Sequence, residues 1–263
     1  MIPIPNSIRE INALPESEKR QIYGSLLPDW LASRYNIDRD AGTYDGIEVA
    51  RFRCPTGSRA VEIDVKRRAQ DIDPMLYLNM TDTFNNQLLV LLVVINDPES
   101  ERFNVDVDTE GNRTHFGTVS RNLPAELKAM RAGLAPGQVR RGLREFKQLV
   151  PLFETFVGKM AHDLFLIEPL SYHNAIIFER YGFAYVRGLQ EMRSIDQGFR
   201  PDGYLYAKLN ENNPFRHPQC ALTVRGRSWA IHDGILGHPF TGFQMYKRLG
   251  HTAGINTISE ATW

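Results

Sequence analysis

Four cationic side chains, Arg140, Arg141, Arg144 and Lys147, crowd the stretch "QVRRGLREFK", which opens an amphipathic segment. Cations at a helix start oppose the macrodipole, each at a cost on the order of 0.3–1 kcal/mol, unless an anion lies against them. A phosphate-bearing ligand would supply that anion; a solvated basic face partly neutralised by Glu145 is the alternative. A second constellation is Glu168, which ends the apolar run "DLFLIE" just before Pro169, and His173 five residues on. In an open α/β sheet ligands bind beyond the carboxyl ends of strands, so Glu168 is placed to act as a base and His173 as its relay. A helix cap or an arginine partner is the structural alternative for Glu168.

Other spacings fall short of a chemistry. Asp106-x-Asp108-x-Glu110-Gly111 copies the first half of a calcium loop, but Gly117 stands where the bidentate glutamate belongs, so a tight turn after a strand is expected. His217, His232, His238 and His251 gather near the C-terminus, and "HDGILGH" offers two imidazoles with Asp233. No helical HExxH or paired-cysteine spacing accompanies them, and no metal is expected. Cys54 and Cys220 have no catalytic partner nearby in sequence and are expected to be structural.

The elements that must carry these residues follow from periodicity. The first ~40 residues read as helical, with Ser7 as a cap. Beyond Gly42, "IEVARFRC", "AVEIDV", "MLYLNM", "QLLVLLVVI" and "RFNVDVD" read as strands, and Asn96-Asp97-Pro98 suggests a hairpin between residues 88–95 and 102–108. "NLPAELKAMRAGL" has Pro124 at a first-turn position and Gly133 at the end, a short helix. Leu143, Phe146, Val150, Phe153, Val157, Met160 and Leu164 then keep a helical phase across Pro151, so a long helix with a kink or short break is expected. Residues 163–170 read as a buried strand, 171–181 as a helix and 183–189 as the next strand.

The segment Ser171 to Phe183, with Asn174, Phe178 and Gly182-Phe183 at the matching positions, resembles the last segment of the GNAT superfamily of acyl-CoA N-acyltransferases. "QVRRGLREF" is similar to that family's pyrophosphate loop, in which backbone N–H groups at a helix start hold the cofactor. The likeness covers roughly residues 135–190. It implies a GNAT-like mixed sheet, antiparallel in the N-terminal half, with a parallel β-α-β crossover in the C-terminal half and a wrapping C-terminal tail. It implies an acetyl-CoA or other acyl-CoA site at Gln138, Val139, Arg140, Arg141, Gly142, Leu143, Ser171 and Phe178 and an amine or peptide acceptor, whose proton the Glu168 and His173 pair is placed to take. The family's proton-donating tyrosine falls on Phe178, which has no proton to give, and only one glycine of the loop's usual pair is present. A GNAT-shaped binding or regulatory protein without turnover, or an unrelated α/β scaffold, is therefore the competing expectation.

Composition limits the setting. Lysine plus arginine and aspartate plus glutamate number 31 each among 263 residues, so no global field recruits nucleic acid or an anionic membrane. No apolar run is long enough to cross a bilayer, and "MIPIPNSIREINALPESEKR" has no basic n-region or apolar h-region, so a cytoplasmic protein is expected. One domain over residues 1–199 with a tail over 200–263 packed on it is the expected organisation; oligomeric state is left open.

Overall fold

The computed structural model describes residues 4–258 and 261–263. Its helices are α1 (Ile8–Ile11), α2 (Glu16–Gly24), α3 (Asp29–Arg34), α4 (Leu123–Arg131), α5 (Phe146–Lys159), α6 (Tyr172–Arg180), α7 (Leu189–Gly198) and α8 (Val224–His232). Its strands are β1 (Thr43–Tyr44), β2 (Ile47–Glu48), β3 (Ala50–Arg53), β4 (Ala60–Val65), β5 (Leu76–Asp82), β6 (Leu88–Ile95), β7 (Leu164–Ile167), β8 (Ala184–Arg187) and β9 (Gln244–Arg248). The chain is mixed α/β and forms two compact units whose segments interleave. Unit 1 takes residues 1–99, 142–168 and 246–252; unit 2 takes 100–141, 169–245 and 253–263.

Unit 1 is built on a mixed sheet. Strands β3 to β6 pair antiparallel in sequence order, and β6 pairs parallel with β7 through Leu89↔Leu166 and Val90↔Ile167. Both edges of β7 are occupied, by β6 and by β9. Alternation puts Val61, Ile63, Val65, Leu78, Met80 and Val90 on the buried face, and α1, α2 and α5 contribute Ile8, Ile11, Tyr23, Phe156 and Val157 to the same core. The first helix is fixed from the sheet: Asp82 accepts hydrogen bonds from the N–H groups of Ile8 and Arg9, both at 2.8 Å, and Asn12 Nδ2 donates to Ser58 O and Ala60 O, both at 3.0 Å. Helix α5 packs Phe153 edge-on against Phe165 of β7, with ring centroids 4.7 Å apart.

Three expectations need correction here. Residues 102–108 form no strand, because β5 and β7 take both edges of β6 and leave none for a hairpin partner. The short break that is one of the two outcomes expected at Pro151 is absent, since α5 continues from Phe146 to Lys159 with Thr155 Oγ1 donating to Pro151 O at 2.9 Å. The parallel partner of β7 is β6, reached through α5, and not the strand that follows α6. The parallel pairing is present, one crossover earlier than the sequence suggested.

Unit 2 is mainly helical. Its core joins Phe103, Val105, Ala129, Leu134, Phe215 and Trp229, and the Trp229 indole donates to Leu134 O at 2.8 Å. Asn122 caps α4 by accepting from Ala125 N at 3.2 Å, while its amide donates to Val107 O at 2.9 Å. Residues beyond Arg200 supply α8, whose Gly226 packs so close that a Cβ there would stand 2.6 Å from Cys220 Cα. That approach explains a glycine inside a helix, where it otherwise costs ~1 kcal/mol. Cys54 and Cys220 are buried free thiols, and burial pushes both up, away from reactivity.

Candidate functional site

The loop before α5 divides between the units. Gln138, Val139, Arg140 and Arg141 belong to unit 2; Gly142 and Leu143 belong to unit 1. In unit 2, Gln138 Oε1 accepts from Ala135 N at 2.8 Å and Val139 O accepts from Phe103 N at 2.8 Å, so both residues secure the turn. Arg140 Nη1 donates to Ser100 O; the Arg141 N–H donates to Ser100 Oγ at 3.2 Å and its Nη2 to Ala132 O at 3.3 Å. The expectation that Arg140, Arg141 and Arg144 occupy the first helical turns is corrected: α5 starts at Phe146. Arg144 takes a left-handed backbone, φ 60°, which no right-handed helix can include. Of the four cations only Lys147 stands in the first turn, so the dipole penalty falls on one side chain.

In unit 1 the loop meets the sheet. A Cβ on Gly142 would lie 3.1 Å from Ile95 O, which places this glycine backbone against the carboxyl end of β6. Leu143 is buried, and Glu145 occupies the N-cap of α5 without a side-chain cap bond, its carboxylate engaged by Gln148 Nε2. No acidic side chain sits in the first turn. Because α5 links two parallel strands, its N-terminus opens at their carboxyl ends, where Ile95 ends β6 and Glu168 follows β7. This edge combines an uncapped fourteen-residue helix start with a glycine backbone laid on a strand end, the arrangement that receives anions.

The remaining expected residues lie in unit 2. Ser171 is the N-cap of α6, and its hydroxyl meets His173 Nδ1 at 2.9 Å. Ser228 Oγ of α8 meets the same nitrogen at 2.9 Å. His173 is fully enclosed, and burial lowers its pKa to about 3, with Arg225 and His232 pushing the same way. Its imidazole is neutral at ordinary pH and packs between α6 and α8, held by the two serine hydroxyls.

The Gly-Phe step has a complete local explanation. Helix α6 ends in a Schellman cap: Phe183 N donates to Phe178 O at 3.1 Å, Gly182 N donates to Glu179 O at 2.9 Å, and Gly182 takes φ 81°. The hydrophobic contact that accompanies such caps is the Phe178–Phe183 pair, with centroids 5.2 Å apart and both rings buried. Phe178 therefore stands in the core of unit 2.

Two polar clusters of unit 2 escaped the sequence reading. Glu179, buried, accepts from Tyr185 Oη at 2.6 Å, Thr257 N at 2.9 Å and Thr257 Oγ1 at 2.6 Å, and burial pushes its carboxyl up. Arg121 bridges Glu126 and Asp233, with Nη1 2.7 Å from Asp233 Oδ1, while Arg216 Nε and Asn213 Nδ2 reach Asp233 Oδ2 at 2.7 and 3.0 Å. His232 Nε2 lies 3.3 Å from Glu126 Oε1. These partners come from separate stretches of chain, so no local pattern announces them. Asp233 of "HDGILGH" is thereby committed to guanidinium groups, and among the described residues no group of three or more His, Cys, Asp or Glu side chains is placed to hold a metal ion. Asp108 is the pivot of a turn, accepting from Glu110 N, Asn112 N and Ser120 Oγ at 3.0, 2.9 and 3.0 Å.

No family model, curated protein or solved structure matches this chain. Among the described residues no helix is long and apolar enough to cross a membrane.

Proposed function

We propose that the protein is a GNAT-like acyl-CoA-dependent N-acyltransferase, with the cofactor pyrophosphate against the Gly142–Leu143 backbone and the α5 N-terminus. The observation that carries this reading is the helix start of α5, uncapped by any side chain and opening at the carboxyl ends of the parallel pair β6 and β7. In the reaction an amine attacks the thioester carbonyl, the C–S bond breaks and CoA leaves as thiolate. Glu168, beyond β7, is the base proposed for the proton the amine gives up. The antiparallel β3–β6 run followed by a parallel pair supports the fold assignment.

One observation favours a second reading, a GNAT-shaped binding protein without turnover. Phe178 fills the position of the family's proton donor and is locked in a helix cap, so nothing at that position protonates a departing thiolate. Loss of one general acid costs about 10²–10⁴-fold in rate.

Calorimetry with CoA and acetyl-CoA tests both readings. Saturable heat is expected for each, weakened at high salt. Gly142→Val should reduce it at least tenfold, because its side chain would meet Ile95 O. Absence of saturable heat up to millimolar ligand would remove the cofactor from either reading. Turnover assayed with a panel of amines then separates enzyme from binding protein.

A further inference from the structure

Among the described residues β3 has one strand neighbour, β4, so its other edge is left open. Val65, paired with Ala50, turns its carbonyl toward β5, accepting from Met75 N at 2.7 Å, while Lys66 N donates to Val49 O at 2.9 Å. Bonding direction alternates along an antiparallel ladder, so Ala50 and Phe52 point their peptide groups away from β4. Ala50 N bears this out by donating to Gly42 O at 3.0 Å. Phe52 O accepts from Cys54 Sγ at 3.8 Å, and the Phe52 N–H meets no acceptor among the described residues.

Beside this edge lies a cavity of about 240 Å³, lined by Glu16 and Arg20 of α2, Glu48 of β2 and residues 51–54. Sites for drug-sized ligands run to about 300–1,000 Å³, so this one suits a small molecule. Arg20 is fixed before any ligand arrives. A turn in which Asp38 Oδ1 accepts from Asp40 N and Ala41 N, both at 3.0 Å, presents Ala41 O to Arg20 Nη1. Gly42, at φ 67°, permits the approach, since a Cβ there would stand 3.0 Å from that Nη1. Arg20 Nη2 donates to Glu48 Oε1 at 2.9 Å, and its Cζ lies 5.8 Å from the centroid of the Phe52 ring. Arg51 is held far less. Its Nε is 3.7 Å from Glu48 Oε2, beyond hydrogen bonding, and its guanidinium makes no hydrogen bond among the described residues. Of the other lining charges, Glu16 is engaged by Lys19 and Arg53 by Glu62.

We propose that this cavity binds the oxyanion of a small carboxylate or phosphate, held by the Arg51 guanidinium and the Phe52 N–H, and that the ligand displaces Glu48 from Arg51. The Glu48 carboxylate, lying between Arg20 and Arg51, shows which group this pair accepts. Glu48 belongs to a strand of two residues and is exposed, so its side chain is free to swing aside. A guanidinium fork matches two oxygens of the incoming group, and the peptide N–H supplies a further donor. The site goes beyond the acyl-CoA reading and does not rest on it, because none of its residues belongs to the edge formed by β6, β7 and the α5 N-terminus.

The test follows the Phe52 amide cross-peak by NMR in the full chain at pH 7, without CoA and at constant ionic strength. Inorganic phosphate and succinate are titrated separately, with sodium chloride as the control. A saturable Phe52 shift is expected with at least one of the two oxyanions and none with chloride; the oxyanion that acts identifies whether phosphate or carboxylate is the ligand group. Arg51→Gln should weaken the binding at least about tenfold, and Glu48→Gln, which removes the competing carboxylate, should strengthen it several-fold. No saturable Phe52 shift with either oxyanion up to tens of millimolar, an equal shift with chloride, or undiminished binding in Arg51→Gln overturns the proposal. If Arg51→Gln does not fold, Glu48→Gln decides, and an unchanged or weakened affinity overturns the site. Both variants should leave the heat of CoA binding unchanged, so failure of the cofactor reading and failure of this site are read separately.

Discussion

Replacing Gly182 by alanine tests whether the Gly-Phe step is held by helix capping. Gly182 has φ 81°, and its N–H and that of Phe183 close the Schellman pair onto Glu179 O and Phe178 O. An L side chain in the left-handed region costs roughly 1–2 kcal/mol. Alanine also stiffens the unfolded chain, which returns about 0.4–1 kcal/mol. The net expectation is a loss near 1 kcal/mol, or about 2–4 °C in Tm for a chain of this size. Asparagine tolerates the left-handed region, so Gly182→Asn should cost less, and Gly182→Val, β-branched, should cost more. Helix α5 offers the reverse experiment, because it ends in the same cap with Ala161 at φ 59°, His162 N donating to Val157 O at 3.2 Å and Ala161 N to Gly158 O at 3.0 Å. Ala161→Gly should therefore raise stability by up to about 1 kcal/mol. Thermal and urea unfolding of the four variants measure the ranking. A neutral Gly182→Ala together with a destabilising Ala161→Gly would refute the capping argument and return the Gly-Phe step to some other constraint.

Two further outcomes follow from the interior of unit 2. Arg227 Nη1 lies 2.7 Å from Asp196 Oδ1 with both side chains buried, so Asp196→Ala should destabilise by about 3–5 kcal/mol and a paired apolar replacement by much less, as read from denaturant midpoints. His173 has its pKa lowered from 6.5 to about 3, so the unfolded chain binds the extra proton first. Stability from this group is complete above pH ~6.5 and falls as pH drops toward ~3; His173→Asn should flatten that part of the pH profile, and an unaltered slope would refute the assignment.

Much of the local structure was legible in the sequence. Alternation marked β4 and β5, and the apolar run marked β6. Asn122, Pro124 and Gly133 marked the ends of α4, because capping is chemistry between near neighbours in sequence. The stripe from Leu143 to Leu164 marked α5 but not its start, which a left-handed Arg144 fixed three residues late. Helix α7 was missed although Met192, Ile195 and Phe199 carry helical spacing and are buried. It follows a strand through Gly188 at φ 100°, with no side-chain cap to announce it.

The candidate sites were legible only in part, and the reason is distance along the chain. Gly142 was visible as a glycine before a helix; that its backbone rests on Ile95 O depends on β6, β7 and α5 meeting. His173 reads in sequence as a relay for the base Glu168, and tertiary packing of α6 on α8 makes it a neutral ring bonded to two serine hydroxyls. Sequence by itself determined the elements and their caps, since those energies act between residues one to four apart. Tertiary structure decided which edges were occupied, which charges were spent and which polar atoms were left without a partner, because burial and pairing are set by segments that the chain brings together only on folding.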